Sequence, residues 1–128
     1  MKTPDSEKPS GNENANPPSA LPVEISVVET RELIDSGKSM LLLDCREDGE
    51  VATCQIDGSV HIPMNEIPNR ISEIEDLQSE RIVIHCHHGG RSLNVTMWLR
   101  ENGFPQAQNM NGGIEQWSLQ VDPQVPRY

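Results

Sequence analysis

Arg81-Ile82-Val83-Ile84-His85-Cys86-His87-His88-Gly89-Gly90-Arg91-Ser92 decides how this chain is read. Three apolar residues in succession, Ile82 to Ile84, without polar alternation, mark a strand covered on both faces. The strand delivers a cysteine into a short glycine-bearing loop. A helix is expected beyond it, from Ser92 to Asn102, carrying Leu93, Met97 and Trp98 and closed by Gly103. Glycine opens backbone conformations closed to other residues, so successive N–H groups can turn inward as an anion nest. The helix that follows adds the positive end of its dipole. A cysteine at the base of such a nest is expected to be thiolate near neutral pH. The chemistry indicated is nucleophilic, with stabilisation from the backbone and without a dedicated general base. Cys86 is the expected nucleophile, and His87, His88, Gly89, Gly90 and Arg91 the expected receiving pocket for an anionic substrate. A plain solvent-exposed reading stays open for both histidines, His88 above all.

Working outward, Met40-Leu41-Leu42-Leu43 is a second continuous apolar run, and it stops at Asp44. Val23–Ile25, Val60–Ile62 (ended by Pro63) and Ala107–Met110 read as further short strands. Ser26 with Glu29 three residues on forms a capping-box pattern for a helix that Gly37 ends. Ile67, Ile71, Ile74 and Leu77 recur at spacings of four and three, which predicts an amphipathic α-helix. Gly113 to Leu119 predicts a last helix. Strands alternating with helices imply βαβ units, an α/β domain with a parallel sheet, and helices on both faces. Ligands bind at the C-terminal ends of the strands in such sheets. Two segments end there with reactive residues: Asp44-Cys45-Arg46 and His85-Cys86-His87.

The length of 128 residues fits one domain. Residues 1–20 hold four prolines, several Asn and Ser, and almost nothing apolar, and are read as a disordered tail. The domain is expected over 21–120, with an extended tail over 121–128. No run is long and apolar enough to span a membrane, and no secretory h-region follows Met1-Lys2, so a cytoplasmic location is the default expectation. A net charge of −10 argues against nucleic acid and anionic membrane as partners. Cys45, Cys54 and Cys86 are an odd count at irregular spacing, which argues against a disulfide scaffold. Cys45 is read as buried and Cys54 as a packing thiol, with a resolving role the alternative. A structural metal competes for His85, Cys86, His87 and His88. However, adjacent residues cannot all face one ion, and ligands normally come from separate segments. Neither a metal nor a cofactor is expected.

Four elements in order resemble the rhodanese family of sulfurtransferases: Leu42-Leu43-Asp44-Cys45-Arg46-Glu47, Gly58-Ser59-Val60-His61-Ile62-Pro63, the Cys86-to-Arg91 loop, and Gly103-Phe104-Pro105 followed by Gly112-Gly113 and Trp117. The resemblance runs from about Val23 to Leu119. It implies an open five-stranded parallel sheet flanked by helices. It also implies a ping-pong cycle, of thiosulfate:cyanide sulfurtransferase type, in which Cys86 takes sulfane sulfur from a small-molecule donor such as thiosulfate. The persulfide then passes that sulfur to a thiol or protein acceptor. Asp44 and Arg46 become structural support tying the strand ends near the loop, Arg91 closes the loop, and Trp117 belongs to the core. Related phosphatases and arsenate reductases on this fold carry five residues between Cys and Arg, whereas here only His87, His88, Gly89 and Gly90 intervene. The smaller loop favours sulfur over a tetrahedral oxyanion. A phosphatase or arsenate reductase, and a non-catalytic regulatory module, remain the alternatives. Where the family carries Gly-His-Ile, this chain has Cys54-Gln55-Ile56.

Overall fold

The computed structural model describes residues 20–128. The tail expected over 1–20 therefore lies, Ala20 apart, outside the described residues. Five strands form one all-parallel sheet: β1 (Glu24–Ile25), β2 (Met40–Asp44), β3 (Val60–His61), β4 (Arg81–His85) and β5 (Ala107–Met110). Their spatial order is β1-β5-β4-β2-β3, so β4 is central. Three α-helices lie in the connections, α1 (Val27–Asp35), α2 (Asp48–Thr53) and α3 (Gly90–Glu101), and a fourth, α4 (Gly113–Gln120), follows β5.

Both faces of the sheet are covered, and the strand residues divide between them by the two-residue period of a strand. Leu43, Ile82 and Ile84 pack with Val95 and Leu99 of α3 and with Ile67 and Ile74. Leu42 and Val83 point the other way, onto Val27 of α1 and Ile114 and Trp117 of α4. That division explains the unbroken apolar runs of β2 and β4: neither face meets water.

The chain leaves β2 through α2 toward β3 on one side, and leaves β4 through α3 toward β5 on the other. The connections diverge between two adjacent strands, which opens a crevice at their C-terminal ends. Asp44, Cys45 and Arg46 enter it from β2, and Cys86 enters it directly after β4.

Three local expectations are corrected. Ile67 to Leu77 is a series of 3₁₀ turns, not an α-helix. Pro68 has no N–H to donate, and Ile71, Ile74 and Leu77 follow one another at a spacing of three, which matches three residues per turn. The bonds Ile74 N–H to Ile71 O (3.0 Å) and Leu77 N–H to Ile74 O (2.9 Å) follow that period. The central helix begins at Gly90, not Ser92, because Gly89 at φ +111° already turns the chain into it. A helix not anticipated, α2, follows Arg46, with the Glu47 N–H held by the Glu50 carboxylate at 3.0 Å.

Candidate active site

Cys86 is 1% exposed and stands where the sheet stops. Its Sγ accepts hydrogen bonds from the Gly89 N–H (3.1 Å), the Ser92 N–H (3.4 Å) and the Ser92 hydroxyl (3.3 Å). Burial pushes the thiol's pKa up. The Ser92 hydroxyl, with the N–H groups of Ser92, Gly89 and His88, outweighs burial and holds the pKa below the ordinary thiol value. These hydrogen bonds make the thiolate easier to form than in an ordinary cysteine, without a neighbouring base.

The nest is held open from behind. The Cys86 carbonyl accepts from the Ile114 N–H at 2.9 Å and the His87 carbonyl from the Glu115 N–H at 3.1 Å, both in the first turn of α4. In a trans peptide the C=O and N–H point in opposite directions. Anchoring the His87 carbonyl on α4 thus turns the His88 N–H toward Cys86. Gly113, at φ +62°, lets α4 come this close, since a Cβ there would lie 2.6 Å from the Cys86 carbonyl oxygen. Gly89 meets the same helix, with its hypothetical Cβ 3.3 Å from the Gly112 nitrogen.

Asp44 and Arg46 form a buried pair beside the loop, Nη2 to Oδ2 at 2.7 Å, with both side chains at most 1% exposed. Burial pushes the Asp44 carboxyl's pKa up, but the Arg46 guanidinium wins and holds it below its usual value. Arg46 also donates to the Cys54 carbonyl (2.7 Å) and the Tyr128 hydroxyl (3.1 Å). Cys54 is buried against this guanidinium. Cys45 is fully buried, and burial, followed by the charges of Cys86 and Asp44, pushes its pKa up to about 12. Cys45 is therefore a poor nucleophile. His85 is buried and burial drives its pKa down to about 4, so it is a neutral ring whose Nε2 bonds the Ser59 hydroxyl at 3.2 Å.

Arg91 is not a free cation. It makes two parallel bonds to Glu50, at 2.7 and 2.8 Å. Glu50 also accepts from the Tyr128 hydroxyl at 2.7 Å. The Tyr128 ring stacks on His87 (3.9 Å, 12°), and His87 stacks on His88 (3.8 Å, 25°). Arg91, Glu50, Tyr128, His87 and His88 thereby form a continuous rim around the cysteine loop. Burial, and then the neighbouring His88, lower the His87 pKa, so this ring acts by stacking rather than as a cation. Residues 121–128 reach the rim along α4, where Arg127 pairs with Glu115 at 2.6 Å.

His87, His88 and Glu115 bring one ligand atom each within 4.8 Å of one another. In this structure the two imidazoles stack at 25° and Glu115 is paired to Arg127.

The structure brings Cys86, His87, His88, Gly89, Gly90 and Arg91 together in one loop, with Asp44 and Arg46 beside it. Sequence reasoning missed Glu50, Ser92, Asn109 and Tyr128. Glu50 had a signal, the Glu47-x-x-Glu50 spacing of a helix start. Ser92 had one too, since it directly follows Arg91. Tyr128 and Asn109 had none, because their positions depend on tertiary packing.

The sequence model of the family described as Rhodanese-like domain matches residues 26–120. YtwF of Bacillus subtilis is 36% identical over 100 residues, covering 78% of this chain and 94% of that protein. Adenylyltransferase and sulfurtransferase MOCS3-2 of Zea mays is 31% identical over 132 residues, and this chain spans 27% of its length. The solved structure of human single-domain sulfurtransferase TSTD1 is 28% identical with a TM-score of 0.68, covering 77% of this chain and 97% of that one. Among the described residues, no helix is long and apolar enough to cross a membrane.

Proposed function

The chain belongs to the rhodanese-like domain family, and from that premise we propose that it is a sulfurtransferase that carries sulfane sulfur on Cys86. Relatives and structural neighbours named as sulfurtransferases put sulfur transfer at the level of the family. The observation that carries the reading to this chain is the sulfur itself: a buried Sγ accepting hydrogen bonds from Gly89 and Ser92 that lower its pKa below the ordinary thiol value.

The Cys86 thiolate attacks the outer sulfur of a donor such as thiosulfate. A sulfur–sulfur bond forms to Cys86, the donor's own sulfur–sulfur bond breaks, and sulfite leaves with the electron pair. The new persulfide keeps the negative charge on its outer atom, and the loop N–H groups with the α3 dipole favour it there. A nucleophilic acceptor, cyanide in the assay or a thiolate on a small molecule or protein, then attacks that outer sulfur and releases the Cys86 thiolate. Each displacement is balanced and no outside oxidant is needed. His87, His88, Gly89, Gly90 and Arg91 bound the donor's path, and Asp44 with Arg46 fixes the neighbouring strand end. A cytoplasmic setting suits a reduced thiol.

The test is steady-state formation of thiocyanate from thiosulfate and cyanide. Parallel double-reciprocal lines, with activity abolished in Cys86→Ser, are expected. Turnover of an aryl phosphate that is lost in Cys86→Ser, without thiocyanate formation, would overturn the reading in favour of phosphoryl chemistry.

A further inference from the structure

Behind the reactive sulfur runs a buried chain of hydrogen bonds that reaches the sheet edge. The Ser92 hydroxyl lies 3.3 Å from Cys86 Sγ and 2.5 Å from Asn109 Oδ1. Ser92 and Asn109 are 0% and 2% exposed. Asn109 sits on β5, and its Nδ2 donates to the Glu24 carboxylate of β1 at 3.0 Å. A carboxylate accepts and cannot donate, so Glu24 fixes which end of the amide faces it. Asn109 must therefore present oxygen, not nitrogen, to Ser92.

A hydroxyl has one proton. Two acceptors, Sγ and Oδ1, stand within reach of it, and the shorter contact is to the amide. We propose that Asn109 is a positioning residue that holds the Ser92 proton while Cys86 is uncharged and yields it to the thiolate, thereby setting how basic the nucleophile remains. The inference rests on Cys86 being the working nucleophile. In the uncharged state Ser92 offers the sulfur a lone pair, and in the charged state it offers a proton. When the sulfur loaded on Cys86 moves the charge outward, the inner Sγ no longer claims the proton and Asn109 takes it back. A thiolate deprived of this competition would be more stable but a weaker attacker, because nucleophilicity falls with pKa.

The other titratable or charged groups facing Cys86 are Cys45 at the end of β2 and Arg91 at the start of α3. His87 and His88 flank it in the loop, and Glu24 on β1 faces Asn109. None of these changes in the substitutions below, Glu24→Gln apart.

The experiment measures the apparent pKa of Cys86 by the pH dependence of iodoacetamide alkylation, followed at Cys86 by mass spectrometry. Asn109→Leu, which keeps the branching at Cγ and removes the acceptor, is expected to lower it by roughly half to one pH unit. Ser92→Ala is expected to raise it. In the Ser92→Ala background, Asn109→Leu is expected to do nothing, since the shared proton is gone. Glu24→Gln, at the sheet edge, leaves the amide free to turn and should produce a smaller shift. An unchanged or raised pKa in Asn109→Leu, or a fall that persists without Ser92, would overturn the proposal. Because alkylation requires no sulfur donor, this result is separate from the thiocyanate assay: a protein that alkylates as expected but makes no thiocyanate refutes the sulfurtransferase reading and not this one.

Discussion

Gly113→Ala is the substitution that couples fold and site most tightly. Gly113 lies at φ +62°, and a Cβ there would reach within 2.6 Å of the Cys86 carbonyl oxygen and closer still to that of His87. Neither neighbour is a flexible side-chain end; both belong to the active loop. Left-handed backbone costs a residue with a Cβ about 1 kcal/mol. Relieving the clash pushes α4 off the loop and breaks the bonds Ile114 N–H to Cys86 O and Glu115 N–H to His87 O, each contributing about 1 kcal/mol. The expected loss is about 3 kcal/mol, and for a domain near this size each kcal/mol moves Tm by about 4–8 °C. Thermal unfolding followed by circular dichroism should show a drop of more than about 10 °C. Where the protein still folds at low temperature, the freed His87–His88 peptide should also weaken the His88 N–H bond to sulfur, raising the apparent pKa of Cys86. A Tm within a degree or two of the parent, with unchanged alkylation, would refute the claim that α4 holds the nest in shape.

Breaking the buried Asp44–Arg46 pair is expected to cost about 3–5 kcal/mol, because one charge is left without its partner; urea midpoints of Arg46→Met and Asp44→Asn measure this. The Asp44 carboxyl is held below its unfolded pKa, so its contribution is full above the ordinary carboxylate range and is lost as pH falls through the folded value. The acid limb of the stability curve should flatten in Asp44→Asn, and an identical limb would count against the pair. Tyr128→Ala removes the ring stacked on His87 and two hydrogen bonds; it should speed alkylation of Cys86 by bulky maleimides more than by iodoacetamide, and equal acceleration by both would show that the rim does not limit access.

Much of this architecture was legible because the signals are local. Ile82–Ile84 and Met40–Leu43 lack alternation, and a strand with no polar face must be covered on both sides. The loop from Cys86 to Arg91 shows its tight turn into a helix through glycines at fixed offsets. The Ile67–Leu77 segment misled because spacings of three and four serve an α-helix and a 3₁₀ series alike, and Pro68 with the run of threes decided between them. The rest of the site required tertiary contacts. Arg91 looks like a free cation until Glu50, 41 residues upstream, neutralises it. Tyr128 reaches Arg46 across 82 residues of chain. Asn109 reads as an unremarkable strand residue until Glu24 from a non-consecutive strand fixes its amide. The loop was expected to cradle an anion with backbone N–H groups and to receive it with His87, His88 and Arg91; the N–H groups do face Cys86, whereas Arg91 is paired to Glu50 and the two imidazoles are part of a stacked aromatic rim.

On the proposed cycle Cys86 itself carries the transferred sulfur. Intact-protein mass spectrometry after incubation with thiosulfate tests this directly. A mass increase of one sulfur atom is expected on the wild type, removed by cyanide or by a reducing thiol and absent in Cys86→Ala, with Cys45 and Cys54 unmodified. No added sulfur on the wild type, or an equal increase on Cys86→Ala, would contradict it.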